Sequence, residues 1–235
     1  MINMKIRILF FLIPILFTCD RKKNTITLDE IKILLDEKNY DLAIKNLNDF
    51  IKINKNESDA YNLLGVCFFE NNELDKAEIN FSNALKIEKN YKFFYNRGNV
   101  RREMNKLSLA LEDYNTAILI EKNQADLYNN RGNLYYRMKN YPSAINDFKK
   151  YSELQPENEK AFLNIAKSQF LVDDFQSAIK NLKIAININS EFSEGFFWLG
   201  LAHFQINLRN EGCLILKKAN ELGHPYAKDA LNINC

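Results

Sequence analysis

Apolar and polar residues recur along this chain with a period close to 34, and small residues mark the phase. Gly65, Gly98, Gly132, Ala166 and Gly200 follow one another at intervals of 33, 34, 34 and 34 residues. Four positions before each stands an aromatic: Tyr61, Phe94, Tyr128, Phe162 and Phe196. Twelve positions after comes a second small residue: Ala77, Ala110, Ala144, Ala178 and Gly212. Four further on stands a large one, at Phe81, Tyr114, Phe148, Leu182 and Leu216, and three later Ala84, Ala117, Tyr151, Ala185 and Ala219. Spacings of three and four put residues on one face of a helix, so each unit is predicted to be two helices joined by a turn. Turn formers sit where the join belongs, at Asn71-Asn72, at Asn140 with Pro142, and at Asp173-Asp174. Gln155-Pro156 ends one second helix. Small residues on both helices let their axes approach, while aromatics and leucines fill the space between neighbouring units.

This set resembles the tetratricopeptide repeat in length, phase and residue type. A degraded earlier copy fits 24–57, with Ala43 and Leu47 in place and Phe50 where a small residue is expected. The resemblance implies an all-α fold, a right-handed α-α superhelix of about six hairpins. The repeats fall at about 24–57, 58–90, 91–124, 125–158, 159–192 and 193–226, and a short helix over 226–233 caps the end. The last stretch, Lys217 to Ala227, resembles the Sel1-like variant of the same hairpin, with Gly223 and Pro225 stopping the helix. Within the repeats, Arg97 and Arg131 replace the usual apolar residue before the glycine. Only those two copies carry aspartate sixteen residues later, Asp113 and Asp147. Two structural Arg–Asp pairs are predicted across the facing helices.

In this family the first helices line a concave surface that holds a peptide or helix, and the resemblance implies a lining for it. In the repeats at 58–158 the lining is Asn62, Tyr95, Asn99, Arg102, Asn129, Asn133, Tyr136 and Arg137. In those at 159–226 it is Leu163, Lys167, Phe170, Phe197, Leu201 and Phe204, with Trp198 beside them. Asparagines can bond an extended backbone, arginines a carboxylate, and the apolar half a partner helix. Packing against the next repeat is the competing role for the aromatics, and a solvated face for the asparagines. Of the lysine, asparagine and arginine clamp by which some relatives hold an acidic tail, Asn99, Asn130 and Lys160 fall in place. Tyr95 and Asn164 stand where two basic residues would be needed, which argues against it.

The first residues follow a different pattern. Lys5 and Arg7 precede a ten-residue apolar run, Ile8 to Phe17, too short to span a hydrocarbon core of about 30 Å and ordered like a secretory signal. Leu16-Phe17-Thr18-Cys19 resembles the lipobox of bacterial lipoproteins. That resemblance implies removal of residues 1–18, lipidation of Cys19, a linker over 19–23 and a repeat domain over 24–235. Thr18 and Phe17 depart from the usual lipobox, and an uncleaved apolar anchor or ordinary cleavage near Thr18 remain open.

Composition narrows the function. Net charge is +2, and two of the cations, Lys5 and Arg7, lie in the apolar leader, so no nucleic-acid partner is expected. Only two histidines occur, and no metal, hydrolase or nucleotide motif, so neither catalysis nor a cofactor or metal is expected. With Cys19 set aside, Cys67, Cys213 and Cys235 remain. Cys67 reads as a buried small hydrophobe, and a Cys213–Cys235 bridge is open. The expected protein is a non-catalytic interaction scaffold of the bacterial cell envelope, periplasmic or surface-facing, with a protein or peptide partner and a membrane held through its lipidated N-terminus. A cytoplasmic-facing adaptor on an uncleaved anchor and an enzyme with an unrecognised site are the alternatives.

Overall fold

The computed structural model describes residues 26–235, and every regular element there is an α-helix. The first hairpin is α1 (Leu28–Asp36) with α2 (Tyr40–Ile53), the second α3 (Ser58–Glu70) with α4 (Leu74–Ile87), and the third α5 (Tyr91–Glu103) with α6 (Leu107–Ile120). Then come α7 (Ala125–Arg137) with α8 (Tyr141–Leu154), α9 (Glu159–Phe170) with α10 (Phe175–Ile188), and α11 (Ser193–Gln205) with α12 (Arg209–Glu221). A short α13 (Ala227–Asn234) ends the array. The expected all-α superhelix of six hairpins and a terminal helix is what the chain forms. The leader, the lipobox and Cys19 lie outside the described residues.

Local chemistry explains the helix ends. Thr27 and Glu30 form a reciprocal capping box on α1, and Asn90, Asn140, Asn158 and Asp174 cap later helices through their side chains. Every first helix closes the same way. At the second hairpin, Asn72 N–H donates to Phe69 C=O and Glu73 N–H to Phe68 C=O, the paired bonds of a Schellman turn. The first donor of each pair lies in the left-handed region, φ 58° to 63°, at Lys38, Asn72, Asn105, Lys139, Asp173 and Asn207. Asparagine and aspartate visit that region more readily than lysine does, so four of the six turns carry a favoured residue and two do not.

Between the two helices of a hairpin, the conserved spacing becomes a contact. A Cβ on Gly65 would lie 2.8 Å from the Phe81 ring, on Gly98 2.9 Å from Tyr114, on Gly132 2.8 Å from Phe148, and on Gly200 2.7 Å from Leu216. The small residue is therefore the seat of the large one sixteen positions later. Between hairpins, Ala84, Leu85, Phe93, Phe94, Ala117, Ile118, Leu127, Tyr128, Tyr151 and Ala161 form one cluster running from the second hairpin to the fifth. Each hairpin thus buries its apolar face only against its neighbours.

Both predicted ion pairs form. Arg97 donates to both oxygens of Asp113, at 3.1 and 2.7 Å, and Arg131 to both of Asp147, at 2.8 and 2.6 Å. The two carboxylates are 3% and 7% exposed, so each pair is shielded and bidentate. Burial works against the charge on Arg131, but the Asp147 bond outweighs it and raises the pKa. The first pair extends further than expected. Arg101 donates to Asp113 at 2.9 Å and to Glu78 at 2.8 Å, and Lys106 donates to Glu78 at 2.6 Å. This chain ties the second hairpin to the third.

Candidate functional face

First helices touch the first helices of neighbouring hairpins (α1 with α3, α3 with α5, α5 with α7, α9 with α11), which puts them on the inside of the curve. Clefts open across them. One of about 290 Å³ is lined from α3 by Asn62, from α5 by Lys92, Tyr95 and Asn96, and near the start of α7 by Gln124 and Asp126. Another of about 330 Å³ is lined by Asn129 and Asn133, by Lys160, Leu163, Asn164 and Lys167, and by Glu194. Each spans three hairpins.

The polar half of the lining is laterally bonded. Asn96 donates to Asn62 at 2.9 Å, Asn130 to the Tyr95 hydroxyl at 3.0 Å, and Asn164 to Asn129 at 3.4 Å. All three bonds obey one rule: the residue two before the small position of one repeat reaches the residue three before that of the previous repeat. The amides line the inner face and set the offset of one first helix against the next. Arg102 donates to Asn130 at 2.8 Å and also pairs with Glu103. Arg137 donates to the Arg102 carbonyl at 3.2 Å and to Asn105 at 3.0 Å. Asn99 accepts from the Tyr114 hydroxyl at 2.6 Å, and Tyr136 packs its ring edge-on to Tyr141. Asn133 and Arg137 are the most open members of this half.

In the apolar half the same rule pairs Leu163 with Trp198, in a cluster with Ala166, Leu182 and Leu199. Leu163 is only 4% exposed, so it floors the cleft and presents little of itself. Phe170 meets Trp198 and Phe175 edge-on, at 5.4 and 5.1 Å between centroids. Lys167 bonds Glu194 at 3.1 Å and lies over Trp198. The Phe204 ring packs where a Cβ on Gly212 would stand, 2.8 Å away, within its own hairpin. Leu201 is half-buried, and Phe197 lies stacked beneath His224. Of the five apolar residues assigned to the lining, Leu163, Phe170, Phe197 and Phe204 therefore serve packing as well.

Other candidate residues take structural places. His203 is buried, with Nδ1 2.8 Å from the Leu199 carbonyl. Cys67 is buried and free, and burial pushes its thiol pKa up to about 11. Cys213 and Cys235 form a disulfide. Among the described residues, no three His, Cys, Asp or Glu side chains gather to hold a metal ion. No described helix is long and apolar enough to cross a membrane. The network through Arg101, Glu78 and Lys106 was missed in the sequence, because its three members come from different places in the repeat and the other copies do not repeat the set: Tyr135, Ile145 and Asn140, for example, stand at the corresponding positions.

Comparison with known proteins gives one answer for the architecture. Tetratricopeptide repeat models match residues 28–90 and 125–158, and a TPR repeat model matches 98–139. No curated protein matches the sequence. Among solved structures, the C-terminal part of a TPR repeat-containing protein from Cytophaga hutchinsonii is similar, with TM-score 0.75 and 19% identity over 85% of this chain and 80% of that one. YrrB, described as a TPR protein with an unusual peptide-binding site, gives TM-score 0.71 and 17% identity over 79% of this chain and 97% of that one. MamA from Desulfovibrio magneticus gives TM-score 0.67 and 12% identity over 70% of this chain and 94% of that one. At these identities the likeness is one of fold.

Proposed function

From the premise that this chain is built of tetratricopeptide repeats, we propose that it is a non-catalytic scaffold holding a protein or peptide segment along its inner face. The observation that carries the reading is the pair of clefts that each cross three successive hairpins, since an extended segment needs contacts spread along its length. That YrrB is described by a peptide-binding site supports the same use of the fold. The docking residues are Asn62, Tyr95, Asn129, Asn133, Arg137 and Lys167, together with the rims of Phe170 and Leu201.

The proposal extends to place. The basic and apolar start of the sequence supports export, and Cys19 is the residue that would carry the lipid. The Cys213–Cys235 bridge gives separate support, because disulfides persist in oxidising compartments such as the periplasm and cell surface. An exported, anchored scaffold suits an accessory role in assembling the cell envelope.

Photo-crosslinking from the full chain in its native membrane tests the docking face. A crosslinker at Asn133 should yield discrete adducts. The same group at Leu119 on the second helix α6, 75% exposed, should yield none. Equal adducts at both positions, or none at Asn133, would remove the inner face. Intact-mass measurement of the membrane-bound protein checks the anchor, with Cys19→Ala expected to lose the lipid mass.

A further inference from the structure

The segment after α12 lies across the aromatic end of the inner face. Gly223, at φ +79°, turns the chain, and His224 N–H donates to the Ala219 carbonyl at 2.9 Å. That turn sets the His224 ring flat on Phe197, with centroids 4.1 Å apart and planes 15° from parallel. Tyr226 packs edge-on to His224 at 6.0 Å and is 67% exposed. The helix that follows lies along α12 but buries little of itself there. Ala227 is its one buried residue, Ile233 is 79% exposed, and eight residues are too few for a helix to persist alone in water. What fastens its far end is the disulfide from Cys235 back to Cys213 on α12, across 22 residues.

We propose that residues 222–235 form a redox-set strap: in the disulfide form His224 covers Phe197, and in the dithiol form the strap lifts and opens the aromatic end of the inner face. The idea rests on the reading of that face as a docking surface, since uncovering Phe197 matters to function only there. The chemistry is ordinary thiol–disulfide exchange with a dithiol reductant. One reductant thiolate attacks a cysteine sulfur and the Cys213–Cys235 bond breaks. The second thiol resolves the mixed disulfide, so two electrons and two protons end on the two cysteines and the reductant leaves as a disulfide. Cys67 does not compete, because its buried thiol has too high a pKa to supply thiolate.

Phe197 lies 6.2 Å from Trp198, the only tryptophan in the chain, which makes the lifted state visible. The test compares the full chain oxidised, reduced with dithiothreitol, as Cys213→Ser/Cys235→Ser, and as His224→Ala with the disulfide intact. Hydrogen exchange reports the strap, and Trp198 fluorescence together with binding of anilinonaphthalene sulfonate reports the uncovered ring. Reduction and the double serine variant should speed exchange over 227–234 by about tenfold or more while α9–α11 keep their protection. Both should also raise dye binding and shift the Trp198 emission. His224→Ala should raise dye binding and leave exchange over 227–234 slow. Unchanged protection of 227–234 after full thiol release would overturn the strap. So would an equal loss of protection throughout α9–α12, or dye binding that His224→Ala leaves at the oxidised level. None of these readouts needs a partner, so their failure leaves the Asn133 crosslinking result standing, and the reverse also holds.

Discussion

The repeats at 91–158 and those at 159–226 share one backbone plan and hold it by opposite chemistry. In the central pair a guanidinium crosses from first helix to second, at Arg97–Asp113 and Arg131–Asp147, and amide bonds join adjacent first helices. In the C-terminal pair the same places hold Ile165 with Asn181 and Leu199 with Ile215, and the place of the lateral amide bond is taken by Leu163 with Trp198, beside the Lys167–Glu194 bond. Either solution satisfies the geometry, but a mixture does not. A shielded guanidinium without its carboxylate keeps its desolvation cost and loses the attraction that offsets it. The two positions are therefore coupled, which is why arginine and aspartate arrive together or not at all.

The largest expected effect breaks that coupling. Asp147→Ala leaves Arg131 bonded only to Asn115 and should cost about 3–5 kcal/mol of unfolding free energy. Arg131→Leu/Asp147→Asn, which copies the Leu64 and Asn80 of another repeat, should recover most of it. Denaturant unfolding of both variants is the measurement, and an Asp147→Ala protein as stable as the parent would end the idea of coupling. A smaller effect concerns the small position. Gly132→Ala drives a methyl into the Phe148 ring, and should cost about 1–2 kcal/mol after the gain in helix propensity. Ala166, whose partner sixteen positions later is Leu182 rather than a ring, marks the contrast, and Ala166→Gly should lose stability instead of gaining it. If Gly132→Ala proves neutral, ring packing is not what demands glycine there.

The smallest effect uses acid to separate the two regions. Burial raises the pKa of Glu78, but hydrogen bonds from Lys106 and Arg101 outweigh it and leave the value below the usual 4.5. A carboxylate with a lowered folded pKa contributes stability in full above its unfolded value and loses it as pH falls through the folded one. Below pH 4.5, then, exchange at the junction of α4 and α5 should accelerate before that in α9–α12. Simultaneous loosening of both regions would show that the ion network does not hold this junction.

Much of the molecule was legible in its sequence, for identifiable reasons. The period showed because a glycine is required wherever a ring presses on a helix, so Gly65, Gly98 and Gly132 mark Phe81, Tyr114 and Phe148. The Arg–Asp pairs showed because both partners deviate from the pattern in the same two copies. The asparagine bonds did not show. Asparagine is common throughout the chain, and the link between Asn96 and Asn62 becomes apparent only when the offset of neighbouring helices is known. The apolar lining was only partly legible: Phe170 and Leu201 reach the face, while Leu163 and Phe204 pack inward and Phe197 is covered. Periodicity assigns a residue to a helix face, but the next hairpin and the final turn decide what covers it.

The lateral bonds also give the coil a mechanical character. A hydrogen bond holds both distance and direction, whereas apolar side chains can slide past one another at little cost. Between α3 and α9 each first helix is pinned to the next by such a bond. At the N-terminal end the corresponding place is Leu28 with Leu63, apolar on both sides, whereas at the C-terminal end Leu163 meets Trp198 beside the Lys167–Glu194 bond. The array is thus a spring with a stiff middle and a compliant N-terminal end. A load along its axis stretches the N-terminal turn first, while the pitch of the central ones, and the spacing of the amides they present, stays constant.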